Sequence, residues 1–201
     1  MLRASSAKAA LTMATAISQG GVPVIEVTMT VPDALEVMRT LVRTSPEVLV
    51  GAGTVLDAET ARRCVGEGAQ FIVSPSTDLQ TITYCREAGI AVLPGALTPS
   101  EIVAAWKAGA DVVKVFPVGS VGGPKYLKSL KAPLPHIPLL PSGGVTLGEA
   151  HEYLEAGAWA IGAGSDLVDA RAIAEGTPEK LSQTAHAYRE AVRKFRHGPR
   201  T

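Results

Sequence analysis

Short runs rich in Val, Ile and Leu recur along the chain about every 22 residues, and each is followed by a longer, alanine-rich amphipathic stretch. The runs are VPVIEVTM (22–29), VLVGAG (48–53), QFIVS (70–74), IAVLP (90–94), DVVKVF (111–116), IPLLP (137–141) and AWAIGAG (158–164). Nearly continuous apolar runs of this length belong to parallel strands covered on both faces, because an antiparallel strand with one wet face alternates instead. Helical patterns lie between them, at about 5–19, 32–44, 57–67, 78–88, 100–108, 123–131, 147–156 and 178–195. The 20 glycines and 14 prolines fall at the boundaries and so mark turns.

Helix ends carry matching local chemistry. Thr98-Pro99-Ser100-Glu101 and Thr177-Pro178-Glu179-Lys180 place Thr at the N-cap and Pro at the first helical position, and Thr146-Leu147-Gly148-Glu149 has capping-box spacing. Gly20-Gly21, Gly66, Gly89, Gly109 and Gly157 stand where left-handed residues end helices.

Seven strand–helix units are visible, and the helix from about Ser5 implies an eighth. Met1-Leu2-Arg3-Ala4 reads as the tail of a first strand that is stunted or begins further upstream. The expected fold is therefore α/β, a (β/α)8 barrel with a truncated first strand, forming one domain over 1–201. The chain is short against the ~250 residues typical of such barrels. A doubly wound open sheet is the alternative, without a G-x-G-x-x-G after the first strand to favour it.

Charge and composition bound the partners. Nineteen basic side chains balance nineteen acidic ones, which gives no electrostatic reason for nucleic acid or an anionic membrane. The tail with Arg189, Arg193, Lys194, Arg196 and Arg200 lacks interleaved aromatics and reads as a solvated helix end. No run approaches the roughly 18 apolar residues of a membrane span, and no export segment leads the chain, so a cytoplasmic protein is expected. Cys64 and Cys85 stand alone in helical patterns and read as reduced packing residues. His136 falls before a strand, and His151, His186 and His197 lie in helices or the tail, so no metal site is expected.

In a parallel barrel the reactive side chains gather at the C-terminal strand ends. Polar residues there are Arg3, Glu26, Thr28, Thr54, Ser74, Lys114 and Ser142. Strand alternation puts Lys114 on one face with Val112 and Phe116, and Glu26 on one face with Val24 and Thr28, so both ionisable groups can point inward. Lys114 sits among Val112, Val113, Val115 and Phe116, where lost hydration lowers an amine's pKa and frees it as a nucleophile for imine chemistry. Glu26 would shuttle the protons that such chemistry needs. The structural alternative is an ion pair between the two. Pro141-Ser142-Gly143-Gly144-Val145 and Gly162-Ala163-Gly164-Ser165 follow the last two strands, where backbone N–H groups and a short helix N-terminus commonly hold phosphate.

These segments together are familiar. Through IEVTMTVPDA (25–34), VGAGTV (50–55), FIVSP (71–75), LPGALTPSE (93–101), VVKVFPVGSVGGPKYLKSLKAPLP (112–135), LPSGGV (140–145) and GAGSDLV (162–168), the chain resembles the 2-keto-3-deoxy-6-phosphogluconate (KDPG) / 4-hydroxy-2-oxoglutarate (KHG) aldolase family, class I aldolases on small (β/α)8 barrels. The resemblance implies Lys114 as the Schiff-base lysine and Glu26 as the acid–base glutamate. It also implies Thr54, Pro75 and Phe116 as substrate-pocket residues, and Gly143, Gly144, Gly164 and Ser165 as the phosphate loops. Some members carry an arginine where this chain has Thr30; Arg3 fits the pattern of others and would bind the substrate carboxylate or phosphate.

The activity expected is cleavage of KDPG to pyruvate and glyceraldehyde 3-phosphate, or of KHG to pyruvate and glyoxylate, without cofactor or metal, by a homotrimer. The alternatives are a 2-dehydro-3-deoxy-6-phosphogalactonate aldolase, a phosphate-binding barrel isomerase or epimerase without a covalent intermediate, and a barrel that binds phosphorylated ligands without turnover.

Overall fold

The computed structural model describes residues 1–197. Parallel strands β1 (Val24–Thr28), β2 (Leu49–Gly53), β3 (Phe71–Val73) and β4 (Ala91–Leu93) form one run of neighbours, and β5 (Gly95–Ala96), β6 (Val113–Val115) and β7 (Leu139–Pro141) form another. Pro94 separates β4 from β5 within a single stave, because it has no N–H to give; its carbonyl still accepts from Lys114 N–H at 2.9 Å. The wall is thus continuous from β1 to β7.

The two outermost staves are each reduced to a single bridge. Leu2 pairs with Val27, its N–H donating to Glu26 O at 2.7 Å, and Gly162 pairs with Ser142, its N–H donating to Pro141 O at 2.9 Å. Among the described residues one hydrogen bond joins these staves to each other, from the amino group of Met1 to Ala163 O at 3.1 Å. Of the expected first strand, residues 1–4 carry the one bridge at Leu2, and the run at 158–164 is mostly irregular. Leu2 is fully buried, and burial of such a side chain stabilises by about 1.5–3 kcal/mol, enough to anchor a stave with little ladder of its own.

Alternation along the staves sorts the wall into two faces. Ile25, Val27, Val50, Ala52, Ile72 and Val92 pack outward into one apolar cluster, and Val113, Val115 and Leu139 into a second. Phe71, Val73, Leu93 and Val112, with Leu140 against them, fill the barrel's interior. Helices α1 (Ala7–Gln19), α2 (Ala34–Thr44), α3 (Ala58–Gly66), α4 (Leu79–Glu87), α5 (Pro99–Ala108), α6 (Gly123–Lys131), α7 (Ala150–Glu155), α8 (Ala170–Ala174) and α9 (Glu179–His197) surround the wall.

Local details refine the expected helix ends. Thr98 and Glu101 form a reciprocal capping box at α5, with Pro99 at the first position. The box expected at Thr146 is absent: the hydroxyl donates to Glu149 Oε2 at 2.8 Å instead, and the chain enters α7 through a 3-10 turn, which leaves less room for the reciprocal geometry. Gly66 is the last residue of α3 rather than its left-handed stop, a role taken by Gly68 at φ +94°. Of the basic tail, Arg193 pairs with Glu190, Arg196 donates to Trp159 O, and Arg200 lies outside the described residues. Cys64 and Cys85 are buried free thiols, and burial pushes each up to about 11.

Candidate active site

Lys114, at the middle of β6, points into the barrel and is 5% exposed. Burial holds its amine below the ordinary lysine value; the charge of Glu26 opposes that shift and the charge of Arg3 adds to it. Nζ meets the sulfur of Met1 at 3.7 Å and lies 5.2 Å from the centre of the Phe116 ring, a cation–π distance. Among the described residues it makes no salt bridge. The pairing with Glu26 weighed as a structural role is therefore not a direct contact, and the carboxylate acts on the amine through space.

Glu26 faces the interior from β1, opposite Gly51 in register. Its carboxylate leans over Gly53, where any Cβ would overlap it. A residue larger than glycine at 53 and the present position of the carboxylate exclude each other. Oε1 is buried and meets no donor, which leaves it able to accept a proton or a hydrogen bond from a molecule in the barrel mouth.

Arg3 is exposed and is held by a chain of hydroxyls whose direction is fixed. Thr28 Oγ1 has one proton and gives it to Leu2 O at 2.8 Å. Thr30 must then donate to Thr28 across 2.7 Å, which frees its lone pairs to accept from Arg3 Nη1 at 3.4 Å. Thr30 thus helps hold the arginine of the first stave.

Phe116 connects the two ends of the site. Its ring stands 5.2 Å from Lys114 Nζ and approaches within 2.9 Å of where a Cβ at Gly143 would lie. Gly143 and Gly144 have φ of +81° and +82°, a left-handed pair that makes a concave loop of backbone groups after β7. Gly164 lies across the mouth, a Cβ there meeting the Met1 methyl at 3.1 Å. The turn that follows it is closed by Leu167 and Val168 N–H donating to Gly164 O. The short helix expected beside Ser165 starts only at Ala170, and Asp169 already caps it. The loop itself, rather than that helix end, faces the mouth.

Thr54 follows β2 in a left-handed conformation, φ +58°, and Pro75 follows β3, packed against Gly95 so closely that a Cβ there would overlap its carbonyl. Both stand on the same rim, with no hydrogen bond to Lys114, Glu26 or Arg3 among the described residues.

Around Lys114, then, stand the Arg3 guanidinium, the Glu26 carboxylate and the buried Met1 amine, whose affinity for a proton burial lowers as it does that of Lys114. A poorly hydrated amine beside a guanidinium suits a carbonyl compound that carries an anionic group. Among the described residues no three His, Cys, Asp or Glu side chains converge as metal ligands would.

A family model described as KDPG and KHG aldolase matches residues 1–184. The chain belongs to the KDPG/KHG aldolase family. Among its relatives, a 2-dehydro-3-deoxy-phosphogluconate aldolase from Treponema pallidum is 34% identical over 83% of this chain and 80% of its own length. A 2-dehydro-3-deoxy-6-phosphogalactonate aldolase from Escherichia coli is 34% identical over 96% of this chain and 94% of its own. A crystal structure of KDPG aldolase from Legionella pneumophila, with pyruvate captured as a covalent carbinolamine, superposes with a TM-score of 0.85 at 29% identity, covering 92% of this chain and 89% of that one.

KDPG/KHG family motifs point to Lys114, Glu26 and the glycine loops, but not to Met1. Its sulfur reaches both Lys114 and, at 3.6 Å, Ser142 Oγ, placing a thioether beside the amine. No periodicity or motif could have indicated this, because it depends on the path of the first stave. Gly53 was also hidden: the GAGT motif contains it, but the reason for glycine there is the carboxylate of Glu26 on the neighbouring strand. Among the described residues, no helix is long and apolar enough to cross a membrane.

Proposed function

We propose that this chain is a Schiff-base lyase that cleaves KDPG to pyruvate and glyceraldehyde 3-phosphate, and KHG to pyruvate and glyoxylate. The observation that carries the reading is Lys114: a buried amine, unpaired by any carboxylate among the described residues, facing a glutamate with an unsatisfied oxygen.

Deprotonated Lys114 attacks the C2 carbonyl carbon, forming the N–C2 bond of a carbinolamine, and loss of water gives the protonated imine. The C3–C4 bond then breaks. Its electron pair moves to C3 and on to the iminium nitrogen, while Glu26 takes the C4 hydroxyl proton and the aldehyde departs. Protonation of the enamine at C3 and hydrolysis release pyruvate and restore the amine. Arg3 supplies a guanidinium to the substrate carboxylate or phosphate, Thr54, Pro75 and Phe116 line the pocket, and the Gly143-Gly144 and Gly164-Ser165 loops receive the phosphate.

Borohydride reduction with pyruvate tests this reading. It should place a stable adduct on Lys114, located by mass spectrometry, whereas an isomerase or epimerase barrel, or one that only binds ligands, would give none.

The galactonate-derived substrate remains a specific second reading, because the galactonate aldolase relative matches more of this chain than the gluconate one does. Comparing kcat/KM on KDPG, its galactonate epimer and KHG decides between them.

The assembly proposed is a homotrimer. Leu56, Leu79 and Val121, exposed on or beside loops at the catalytic end, give it apolar surface to bury, and light scattering should return three times the chain mass. The cytoplasm fits two buried thiols kept reduced.

A further inference from the structure

The loops at the catalytic end are stitched together by bonds that the cleavage chemistry does not use. Val118 and Gly119 N–H donate to Ser142 O and Gly143 O at 3.0 and 2.9 Å, tying the loop after β6 to the loop after β7. Leu147 N–H, where the second of these loops enters its helix, donates to Asp166 Oδ2 at 2.9 Å. Asp166 directly follows Ser165 in the last loop. The same oxygen accepts the phenol of Tyr188, on α9, at 2.6 Å.

Two donors from distant parts of the chain therefore converge on one carboxylate oxygen. Asp166 is exposed, and a solvated aspartate alone would not hold one rotamer. Tyr188 is 5% exposed, so its ring is fixed by packing and presents the hydroxyl from a rigid base. Burial and the neighbouring carboxylate push the phenol well above its usual value, so it remains a donor wherever the enzyme works. A bond from a neutral donor to an ionised acceptor is among the stronger kinds.

We infer that Asp166, pinned by Tyr188, is a positioning residue that sets the spacing between the Gly143-Gly144 and Gly164-Ser165 loops and thereby the affinity for the substrate's phosphate. The inference rests on the phosphate-loop reading above, and the test separates the two. Neither residue needs to touch the substrate: Asp166 fixes the far side of the last loop to the exit of the one before it. Loosening that tie leaves Lys114 and Glu26 untouched on β6 and β1.

The experiment is steady-state cleavage by the full chain and by Tyr188→Phe, Asp166→Ala and Asp166→Asn, on KDPG and on its unphosphorylated analogue, with thermal melts of each protein. Wild type should prefer the phosphorylated compound. Tyr188→Phe and Asp166→Ala should raise KM for KDPG by about five- to tenfold, the order expected when one charge-assisted hydrogen bond is lost, with kcat for KDPG and kcat/KM for the analogue within about twofold. Asp166→Asn should fall between wild type and Asp166→Ala, because an amide oxygen can still accept from both donors but without the charge.

Equal losses on both substrates, or an unchanged KM for KDPG, would overturn the positioning role. A wild type indifferent to the phosphate would sink the phosphate-loop reading and this inference with it. Phe fits the space of Tyr, so Tyr188→Phe decides the matter even if Asp166→Ala does not fold.

Discussion

The sulfur of Met1 stands 3.7 Å from Nζ of Lys114, and its methyl reaches toward Gly164 on the far side of the barrel mouth. A thioether thus lies within contact distance of the amine on which the proposed imine forms.

If pyruvate forms an imine on Lys114, as proposed, it is expected to displace the Met1 side chain and so to compete with it for that space. In protein labelled with 13C at the methionine methyls, trapping pyruvate on Lys114 should shift the Met1 resonance strongly. Met13 and Met38, which are buried in the outer core, should not move. An unmoved Met1 signal in fully trapped protein would refute the competition.

Lys114→Met should abolish both imine trapping and cleavage while making the fold more stable by about 1 kcal/mol or more near neutral pH, because an unpaired buried charge is exchanged for an apolar chain. The pH dependence has a definite sign. Burial depresses the folded-state pKa below 10.5, so between the two values the unfolded chain binds more protons and wild-type stability rises with pH. The stability difference between variant and wild type is thus fully present below the folded pKa and shrinks as pH climbs toward 10.5. Melting curves of both proteins across that range measure it, and a constant difference would contradict the assignment.

Gly53→Ala should cost about 10²-fold in kcat, since a Cβ at 53 must push the Glu26 carboxylate aside and misplacement by an ångström can cost that much. Glu26→Gln should lose about 10²- to 10⁴-fold, the usual contribution of a general acid–base group. Borohydride trapping rates report whether the first proton transfers fail together with cleavage; an alanine variant with wild-type kcat would show that the carboxylate position is immaterial.

Thr30→Val removes the hydroxyl that accepts from Arg3 and donates to Thr28. The bond from Arg3 has a charged donor but is exposed and 3.4 Å long, so it is worth about 0.5–1.5 kcal/mol, which corresponds to a KM for the keto acid about two- to tenfold higher, with kcat little changed. Thr30→Ser should restore the wild-type value. Steady-state kinetics on KHG, which lacks phosphate, isolates the carboxylate from the phosphate; an unchanged KM there would assign Arg3 to the other end of the substrate.

Much of this architecture was legible in the residue order, because two-sided burial leaves apolar runs that only parallel strands produce. Alternation within DVVKVF and VIEVT then placed Lys114 and Glu26 on the interior face, as found. The eighth stave was less legible. AWAIGAG has strand-like composition, but Trp159 is exposed and the glycines at 162 and 164 weaken the ladder, so pairing survives at one residue. Gly66 and Gly68 could not be told apart by position, since helix ends drift by a residue or two. Thr146 had the spacing of a capping box but not the geometry, because a tight first turn moved Glu149. The contacts of Met1, Gly53, Asp166 and Tyr188 join segments far apart in sequence, and no local pattern carries that information.

Among the described residues the first and last staves are the least laddered parts of the barrel wall, Leu2 and Gly162 each pairing at a single residue, and the first of them leads to the side chain that leans on the reactive amine. Warming should part these staves first. Catalysis is then expected to fade some degrees below the collapse of helical circular dichroism, so the enzyme's working temperature would be set by a local opening and not by the melting of the whole molecule.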